Sequence, residues 1–373
     1  MGSIASPLAA STGILETESP HQAFRESLRG QRAIIPKLYD LFPEWSPRFH
    51  PDWQKAREDS LNPWLNRWVD EDKIRAKLKA ADFAIFASII CAEASFEKLC
   101  TVSKFFAWYF VWDDQFDCGS LTFDTEGRAA YQQKSKEYFE HVLLLKGSRP
   151  DLSTFTNGQR MALLCWDEIA EHIRKCCSPE VCEIILQTLL PFVGSVDTVD
   201  SILKNDTVPT VAQYWERRDL TAAVYPVIAT LFFIYGASAH VSSLQDPRLA
   251  TLWKNTSYIV HITNDMLSML KEARDGQIEG LVPVLMLNFG LDCATAMQWS
   301  FQLAQVQVKG IRAIESSLAK DHDEKDAVSK LLKDVFLEGC KDVAMGLIHW
   351  SYHGQRYFRK NDIGDDYVIE FVI

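Results

Sequence analysis

The 373-residue chain lacks the features that mark several common protein classes. It has no block of basic residues, and 39 Lys and Arg against 50 Asp and Glu give a formal net charge of −11. A nucleic-acid-binding protein needs clustered positive charge to displace counterions from phosphates, so this class is excluded. Since 47% of the residues are apolar and 12% are aromatic, the chain can bury a substantial core, which excludes a disordered protein.

Disulfide and export signals are also missing. The nine cysteines are odd in number, include no Cys-x-x-Cys pair and lie mostly in apolar stretches, which is typical of a reduced cytoplasmic protein. Residues 1–20 are rich in small residues and lack the basic start and apolar core of a secretory signal. We therefore expect a flexible N-terminal segment over 1–20.

One stretch of twenty residues, Leu220 to Ala239, carries no charge and is long enough to cross a bilayer. Polar residues interrupt it, as do Pro226 and Gly236, and the charged pair Arg217 and Arg218 comes shortly before it. We interpret it as a helix buried on all sides in a large bundle and expect no stable membrane insertion.

Strand signals are weak, whereas most of the chain shows helical spacing of its apolar residues. The spacing predicts helices over 21–41, 71–80, 82–99, 102–117, 127–146, 155–175, 179–203, 210–239, 247–274, 279–288, 291–318, 324–339 and 340–359. No Pro, Gly or Ser-rich linker divides the chain. We expect an all-α fold, a single-domain α-helical bundle over residues 21–360, followed by a C-terminal tail over 361–373.

A first candidate site follows a run of aromatic residues. Asp113 and Asp117 are four residues apart, so they share one face of a helix, where two like charges repel. Placing this pair beside an apolar run makes little sense for stability, but a cation between the carboxylates removes the objection. Mg²⁺ prefers carboxylate oxygens and water and is usually shared with substrate phosphate. The alternative is a helix end at which the carboxylates are merely hydrated.

A second candidate site lies in residues 261–272. Asn264, Ser268 and Glu272 recur every four residues and stay within an arc of about 80° on a helix. An amide oxygen, a hydroxyl and a carboxylate on one stripe form an all-oxygen set suited to a hard cation. Lys271 lies beside the stripe and can reach a metal-bound phosphate. The alternative is an ordinary polar stripe on a helix surface.

With these two motifs, Asp-Asp-x-x-Asp and Asn-Asp-x-x-Ser-x-x-Lys-Glu, the sequence resembles the class I terpene synthases, in particular the compact fungal sesquiterpene cyclases. Two further elements match the family in the same order. The segment from Tyr214 to Ala222 resembles the family's diphosphate-sensing helix break, and Arg356-Tyr357 follows Trp350 like the family's terminal Arg-Tyr pair. Together the motifs span residues 113 to 357.

The resemblance implies the class I terpenoid synthase fold, a prenyl diphosphate substrate and three Mg²⁺ ions. It implies that Asp113, Asp117, Asn264, Ser268 and Glu272 hold the metal, and that Arg218, Lys271, Arg356 and Tyr357 bind the diphosphate. Thr221 would be the linker of the helix break and Ala222 its effector, although Ala222 stands where Gly is more usual. Arg217 offers a competing register for the sensor.

The organic part of such a substrate becomes a carbocation, which needs a dry apolar pocket. Aromatic faces stabilise a carbocation through cation–π attraction. Tyr109 and Phe110 lie about one turn before Asp113, and Trp350 is a further candidate wall, although core packing is the commoner role of such residues. No zinc-binding His-Glu-x-x-His motif, nucleophile elbow, Walker loop or dinucleotide fingerprint is present; His349 and His353 have no evident third ligand.

These features predict a Mg²⁺-dependent cyclase that converts farnesyl diphosphate to a cyclic sesquiterpene and releases diphosphate. A diterpene cyclase acting on geranylgeranyl diphosphate is one alternative. A chain-elongating prenyltransferase is another, although its second aspartate-rich motif is replaced here by Asn264, Ser268 and Glu272. A non-catalytic helical scaffold would have no reason to gather these residues. The sequence leaves open the product skeleton, the deprotonating base and whether the protein is a monomer or a homodimer.

Overall fold

The computed structural model of the protein describes residues 20–117, 121, 124–195, 209–239, 241–320, 326–354 and 356–373. Helices dominate the described residues. They are α1 (Pro20–Leu28), α2 (Trp53–Ala56), α3 (Asn62–Trp68), α4 (Asp72–Ala81), α5 (Phe83–Ile90), α6 (Phe96–Asp117), α7 (Thr125–Leu144), α8 (Asn157–Leu164), α9 (Trp166–Cys176), α10 (Pro179–Ser195), α11 (Val211–Thr221), α12 (Val224–Tyr235), α13 (Pro247–Asp275), α14 (Leu281–Phe289), α15 (Cys293–Lys320), α16 (Ala327–Leu331) and α17 (Leu337–His353). The expected all-α fold is confirmed.

Two short strands are the exception, and the sequence did not predict them. β1 (Arg32–Ile35) pairs antiparallel with β2 (Ile369–Val372), with Ile35 opposite Ile369. The predicted helix over 21–41 is wrong, because α1 ends at Leu28 and a 3₁₀ turn over Leu38–Leu41 follows β1. β2 lies within residues 361–373, which we expected to form a tail. Ile35 and Ile369 are fully buried, so the pairing joins both ends of the described chain to the core.

The two helices that carry the predicted metal motifs have well-defined ends. α6 begins after Ser95, whose hydroxyl accepts a hydrogen bond from the Lys98 amide (3.4 Å). α13 begins with Asp246, whose carboxylate accepts the Arg248 amide (2.8 Å), and with Pro247 in its first turn. It ends at Gly276, whose φ of 82° lets the Gln277 amide return to the Glu272 carbonyl (2.8 Å).

The long apolar stretch forms part of the core. Among the described residues, Val211–Tyr235 is the one unbent segment that is long and apolar enough to cross a membrane. Of its most apolar stretch, 61% is buried inside the protein. It comprises two helices, since α11 ends at Thr221 and Ala223 has a left-handed φ of 56°. The single helix predicted over 210–239 is therefore wrong. A positive φ in an Ala is uncommon and strained, and it turns the chain beside the predicted sensor.

Packing of the helices places the two motifs around a common interior. α6 is buried on nearly all sides, and Trp108 and Trp112 fix its rotation by donating to the Ala162 carbonyl (2.9 Å) and the Ser135 hydroxyl (3.1 Å). α13 packs against α15 on one side and α17 on the other. The eight described cysteines form no disulfide.

Candidate active site

A cavity of about 490 Å³ lies between α6, the α11–α12 break, α13 and α17. All the predicted site residues whose side chains the structure describes line it, although they come from five parts of the chain. They are Tyr109, Phe110, Asp113, Arg218, Thr221, Ala222, Asn264, Ser268, Lys271, Glu272, Trp350, Arg356 and Tyr357. The two motifs thus face one hollow.

The aspartate motif contributes one wall. Asp113 is partly buried and lines the cavity, whereas its neighbour Asp114 does not. The alternative that the Asp113 carboxylate is merely hydrated at a helix end therefore does not fit its position. Burial raises the pKa of Asp114 above its ordinary value. The side chain of Asp117 lies outside the described part of the structure, so its role as a metal ligand stays a prediction.

The opposite wall is the stripe of Asn264, Ser268 and Glu272 on α13, and its chemistry suits a hard cation. The Ser268 hydroxyl is buried beside the Glu272 carboxylate, which it helps to ionise. Burial and the nearby Asp265 nevertheless raise the pKa of Glu272 to about 7, so a carboxylate there is unfavourable until a positive charge joins it. A buried hydroxyl and such a carboxylate beside an amide oxygen fit a divalent metal ion.

This set differs from a zinc-type site. The described residues contain no group of three or more His, Cys, Asp or Glu side chains that could hold a metal ion. His349 donates to or accepts from the Tyr39 hydroxyl (2.8 Å), and its ring lies 4.1 Å from that of His353. The proposed set depends instead on an amide, a hydroxyl and carboxylates from two helices.

Arg218 is held at the cavity wall by a buried carboxylate. Its Nη2 lies 2.7 Å from Oδ1 of Asp265, and the same nitrogen donates to Oδ1 of Asn264 (2.7 Å). Burial alone would lower the pKa of the Arg218 guanidinium, but Asp265, Tyr214 and Glu272 together outweigh burial and raise the pKa above its ordinary value. Arg218 is thus a permanent positive charge that touches the predicted metal-binding stripe.

Asp265 has further partners. Its Oδ2 accepts the Tyr214 hydroxyl (2.8 Å) and the Leu281 amide (2.8 Å). Asp265 therefore joins α11, α13 and the start of α14. Asp265 has no predicted role, although its place directly after Asn264 in the sequence was a usable signal.

The network continues to the predicted Arg-Tyr pair. The Tyr357 hydroxyl accepts hydrogen bonds from Nδ2 of Asn264 (2.9 Å) and Nε of Arg356 (3.1 Å). Since a phenol has one proton to donate, that proton remains for a ligand in the cavity. The Arg356 guanidinium lies 4.3 Å from the centre of the Phe110 ring. The pair therefore connects α13 with α6 across the cavity.

Lys271 and Arg217, the two other basic residues considered for diphosphate binding, have surroundings unlike those of Arg218. Lys271 is 37% exposed, and its ammonium lies 3.4 Å from Asp275, so it stands where the cavity meets solvent. Arg217 also lines the cavity and donates to the Glu279 carbonyl (2.7 Å). Burial and the neighbouring Arg218 lower the pKa of Arg217. Because Arg218, not Arg217, touches Asn264, the geometry favours Arg218 as the sensor candidate.

Below the polar part lies an apolar chamber of about 110 Å³. It shares Tyr109, Phe110 and Trp350, among others, with the larger cavity, so the two adjoin. Its other lining residues are also apolar: Phe83, Phe86, Phe106, Ala222, Ala223, Val224, Val227, Val260, Val343 and Leu347. Among them Ala222 is the predicted effector of the helix break, whereas Phe83, Phe86 and Val343 were not singled out by the sequence. Rings lie close together here, with Phe83 4.8 Å from Phe110 and 5.5 Å from Trp350.

Comparison with known proteins identifies the fold and its chemistry. Residues 104–309 match the model of terpene synthase family 2, C-terminal metal binding. The match covers more than half of the chain and contains both metal motifs. The chain belongs to this family. It is a class I terpene synthase, an enzyme of terpene cyclisation whose family depends on divalent metal and acts on prenyl diphosphates.

Relatives and solved structures agree with this assignment. Terpene cyclase braA of Annulohypoxylon truncatum is 24% identical over 366 residues, 94% of each chain. Sesquiterpene cyclase hepA of Aspergillus oryzae is 25% identical over 354 residues, 91% of this terpene synthase and 92% of the relative. The linalool/nerolidol synthase of Streptomyces clavuligerus, solved with 2-fluorogeranyl diphosphate, shares the fold with a TM-score of 0.69 at 19% identity, covering 84% and 98% of the two chains.

Proposed function

We propose that this terpene synthase ionises farnesyl diphosphate with Mg²⁺, cyclises the fifteen-carbon chain to a sesquiterpene and releases diphosphate. One observation carries the proposal. Asp113, the stripe of Asn264, Ser268 and Glu272, and five Arg or Lys residues line the same cavity, and that cavity adjoins an aromatic chamber without charged groups. A charged head and an apolar tail are the two halves of a prenyl diphosphate.

The head would bind at the polar end. We propose that three Mg²⁺ ions are held by Asp113, Asp117, Asn264, Ser268 and Glu272; when bound, they neutralise the charge that develops on the diphosphate as the carbon–oxygen bond breaks. The same group would accept charge-assisted hydrogen bonds from Arg218, Lys271 and Arg356, and a further bond from the Tyr357 hydroxyl. Because Arg218 already contacts Asn264, occupation of the metal site and of the sensor would be coupled.

The tail would lie in the aromatic chamber. Phe110, Tyr109 and Trp350 present ring surface there, and a desolvated cation over such a ring gains about 2 kcal/mol. The indole of Trp350 is fixed by its hydrogen bond to the Ala81 carbonyl (2.6 Å). Burial raises the pKa of Tyr109 well above its ordinary value, which keeps the phenol neutral and weakly nucleophilic. The chamber would therefore protect a carbocation.

We infer the length of the substrate from the aromatic lining of the chamber. The rings of Phe86 and Phe106 lie 4.8 Å apart, are almost fully buried and both line the chamber, and we propose that they limit the depth available to the tail. This limit supports a fifteen-carbon substrate over a twenty-carbon one. The name of the relative from Aspergillus oryzae, a sesquiterpene cyclase, supports the same choice. A diterpene cyclase remains the second candidate and a chain-elongating prenyltransferase the third.

The proposal also covers the extent of the domain, its location in the cell, its oligomeric state and its partners. We propose a single catalytic domain over residues 21–360 that works in the cytoplasm as a monomer or homodimer, with no nucleic-acid partner and no stable membrane insertion. The burial of Val211–Tyr235 supports the last point.

The test is an incubation of the purified chain with ten-, fifteen- and twenty-carbon prenyl diphosphates in parallel, read by gas chromatography. We expect cyclic products from farnesyl diphosphate with Mg²⁺, and none after chelation with EDTA. Preferential cyclisation of the twenty-carbon substrate would replace the proposal with the diterpene cyclase. A longer linear diphosphate, formed only with added isopentenyl diphosphate, would indicate the prenyltransferase. Absence of any turnover would contradict all three.

A further inference from the structure

His261 continues the metal-binding stripe of α13 toward its N-terminus. It comes three residues before Asn264, which at 100° per residue places it about 60° from Asn264 on the same helix face as Ser268. It lines the large cavity with them. No role is predicted for His261 from the sequence.

The imidazole is buried and has no polar contact. His261 is 0% exposed, and neither Nδ1 nor Nε2 has a hydrogen-bond partner among the described residues. A neutral imidazole has one N–H donor and one acceptor nitrogen. Buried polar groups in native proteins are nearly always paired, so an unpaired imidazole in a cavity wall calls for a ligand.

The residues around the His261 ring indicate which kind of ligand it can bind. Three aromatic rings surround the imidazole, those of Tyr214 (6.1 Å between ring centres), Trp215 (5.4 Å) and Tyr258 (5.0 Å). The Tyr214 hydroxyl is already bonded to Asp265. Burial lowers the pKa of His261 well below its ordinary value, and Arg218 and Arg217 lower it further, so the ring is neutral.

A neutral donor beside two guanidinium groups suits an anion that accepts several hydrogen bonds. We propose that His261 donates a ring N–H hydrogen bond to the diphosphate of the substrate and is a further substrate-binding residue next to Arg218; this inference rests on the proposed function. An uncharged donor adds a bond to the anion without placing a third positive charge beside Arg217 and Arg218. Bonds from N–H groups to charged oxygens are the stronger kind.

The test measures binding of inorganic diphosphate in the presence of Mg²⁺ by titration calorimetry, which needs no turnover. His261→Phe keeps an aromatic ring but removes both nitrogens, and we expect it to weaken binding about tenfold. His261→Gln and His261→Asn keep an amide N–H near the position of Nε2 or Nδ1, respectively. We expect one of these two to bind within about threefold of the wild type, which also identifies the donating nitrogen.

The control is Thr263→Val. Thr263 is equally buried on α13, but its hydroxyl bonds to the Ile259 carbonyl (2.8 Å) and it does not line the cavity, so this variant should bind diphosphate like the wild type. Unchanged binding by His261→Phe would overturn the inference, as would equal losses in all three His261 variants. Failure of the proposed function is distinguishable, because it would appear as a wild-type enzyme that turns over no prenyl diphosphate.

Discussion

Arg218 and Asp265 form an ion pair in the wall of the cavity, with Nη2 2.7 Å from Oδ1 and side-chain exposures of 17% and 2%. Asp265 also accepts the Tyr214 hydroxyl and the Leu281 amide. The carboxylate therefore fixes the orientation of the sensor candidate and anchors the turn that follows α13. Asp265 is a positioning residue in this arrangement, since its oxygens are already occupied by protein donors.

Asp265→Asn should weaken both the fold and diphosphate binding. The amide keeps the shape, but it leaves the buried Arg218 charge uncompensated and turns an NH₂ group toward existing donors. We expect a loss of about 3 kcal/mol in the free energy of unfolding, measured with urea. We also expect at least tenfold weaker binding of diphosphate with Mg²⁺ at a temperature where the variant is folded.

The matched control is Asp59→Asn, which breaks the solvent-exposed pair of Asp59 and Lys55 (2.6 Å). Exposed pairs contribute at most about 1 kcal/mol, so this variant should keep both its stability and its diphosphate affinity. If the two variants behave alike, Asp265 does not position Arg218.

The contrast between Asn264 and Asp265 shows how far the sequence could predict the site. Asn264, Ser268 and Glu272 were recognisable because helical spacing alone puts them on one face. The partners of Asp265 and Tyr357 lie far away in the chain, and tertiary packing brings them together. β1 and β2 were missed for the same reason, because four-residue strands at opposite ends of the chain leave no local signal. The left-handed Ala223 was also unpredictable, since Ala rarely adopts that conformation.

Asp113→Asn should greatly reduce turnover and leave the fold intact. It removes a proposed metal ligand from the cavity wall and keeps the shape of the side chain. We expect at least a hundredfold lower kcat/KM for farnesyl diphosphate and a melting temperature within a few degrees of the wild type. The adjacent Asp114 does not line the cavity, so Asp114→Asn should lose much less activity. Equal losses in both variants would show that position in the cavity does not decide the effect.

Glu272 should make metal binding depend on pH. Its pKa is raised by burial and by Asp265 from 4.5 to about 7, so the folded protein holds this proton more tightly than the unfolded chain. Its contribution to metal-free stability therefore falls as pH rises from 4.5 to about 7. A cation needs the ionised form, so the rise in melting temperature caused by Mg²⁺ should be larger near pH 8 than near pH 6. Glu272→Gln should lose this difference; a difference that persists would exclude Glu272 as its source.

Phe86→Ala should extend the range of substrates. Phe86 lines the apolar chamber beside Phe106, and its removal would free space for a longer tail. We expect the ratio of kcat/KM for the twenty-carbon over the fifteen-carbon diphosphate to rise roughly tenfold, with a stability loss of about 3 kcal/mol. Phe139→Ala is the control, since Phe139 is fully buried but lines neither cavity, so it should lose similar stability at an unchanged substrate ratio. An unchanged ratio in Phe86→Ala would mean that Phe86 does not select the chain length of the substrate.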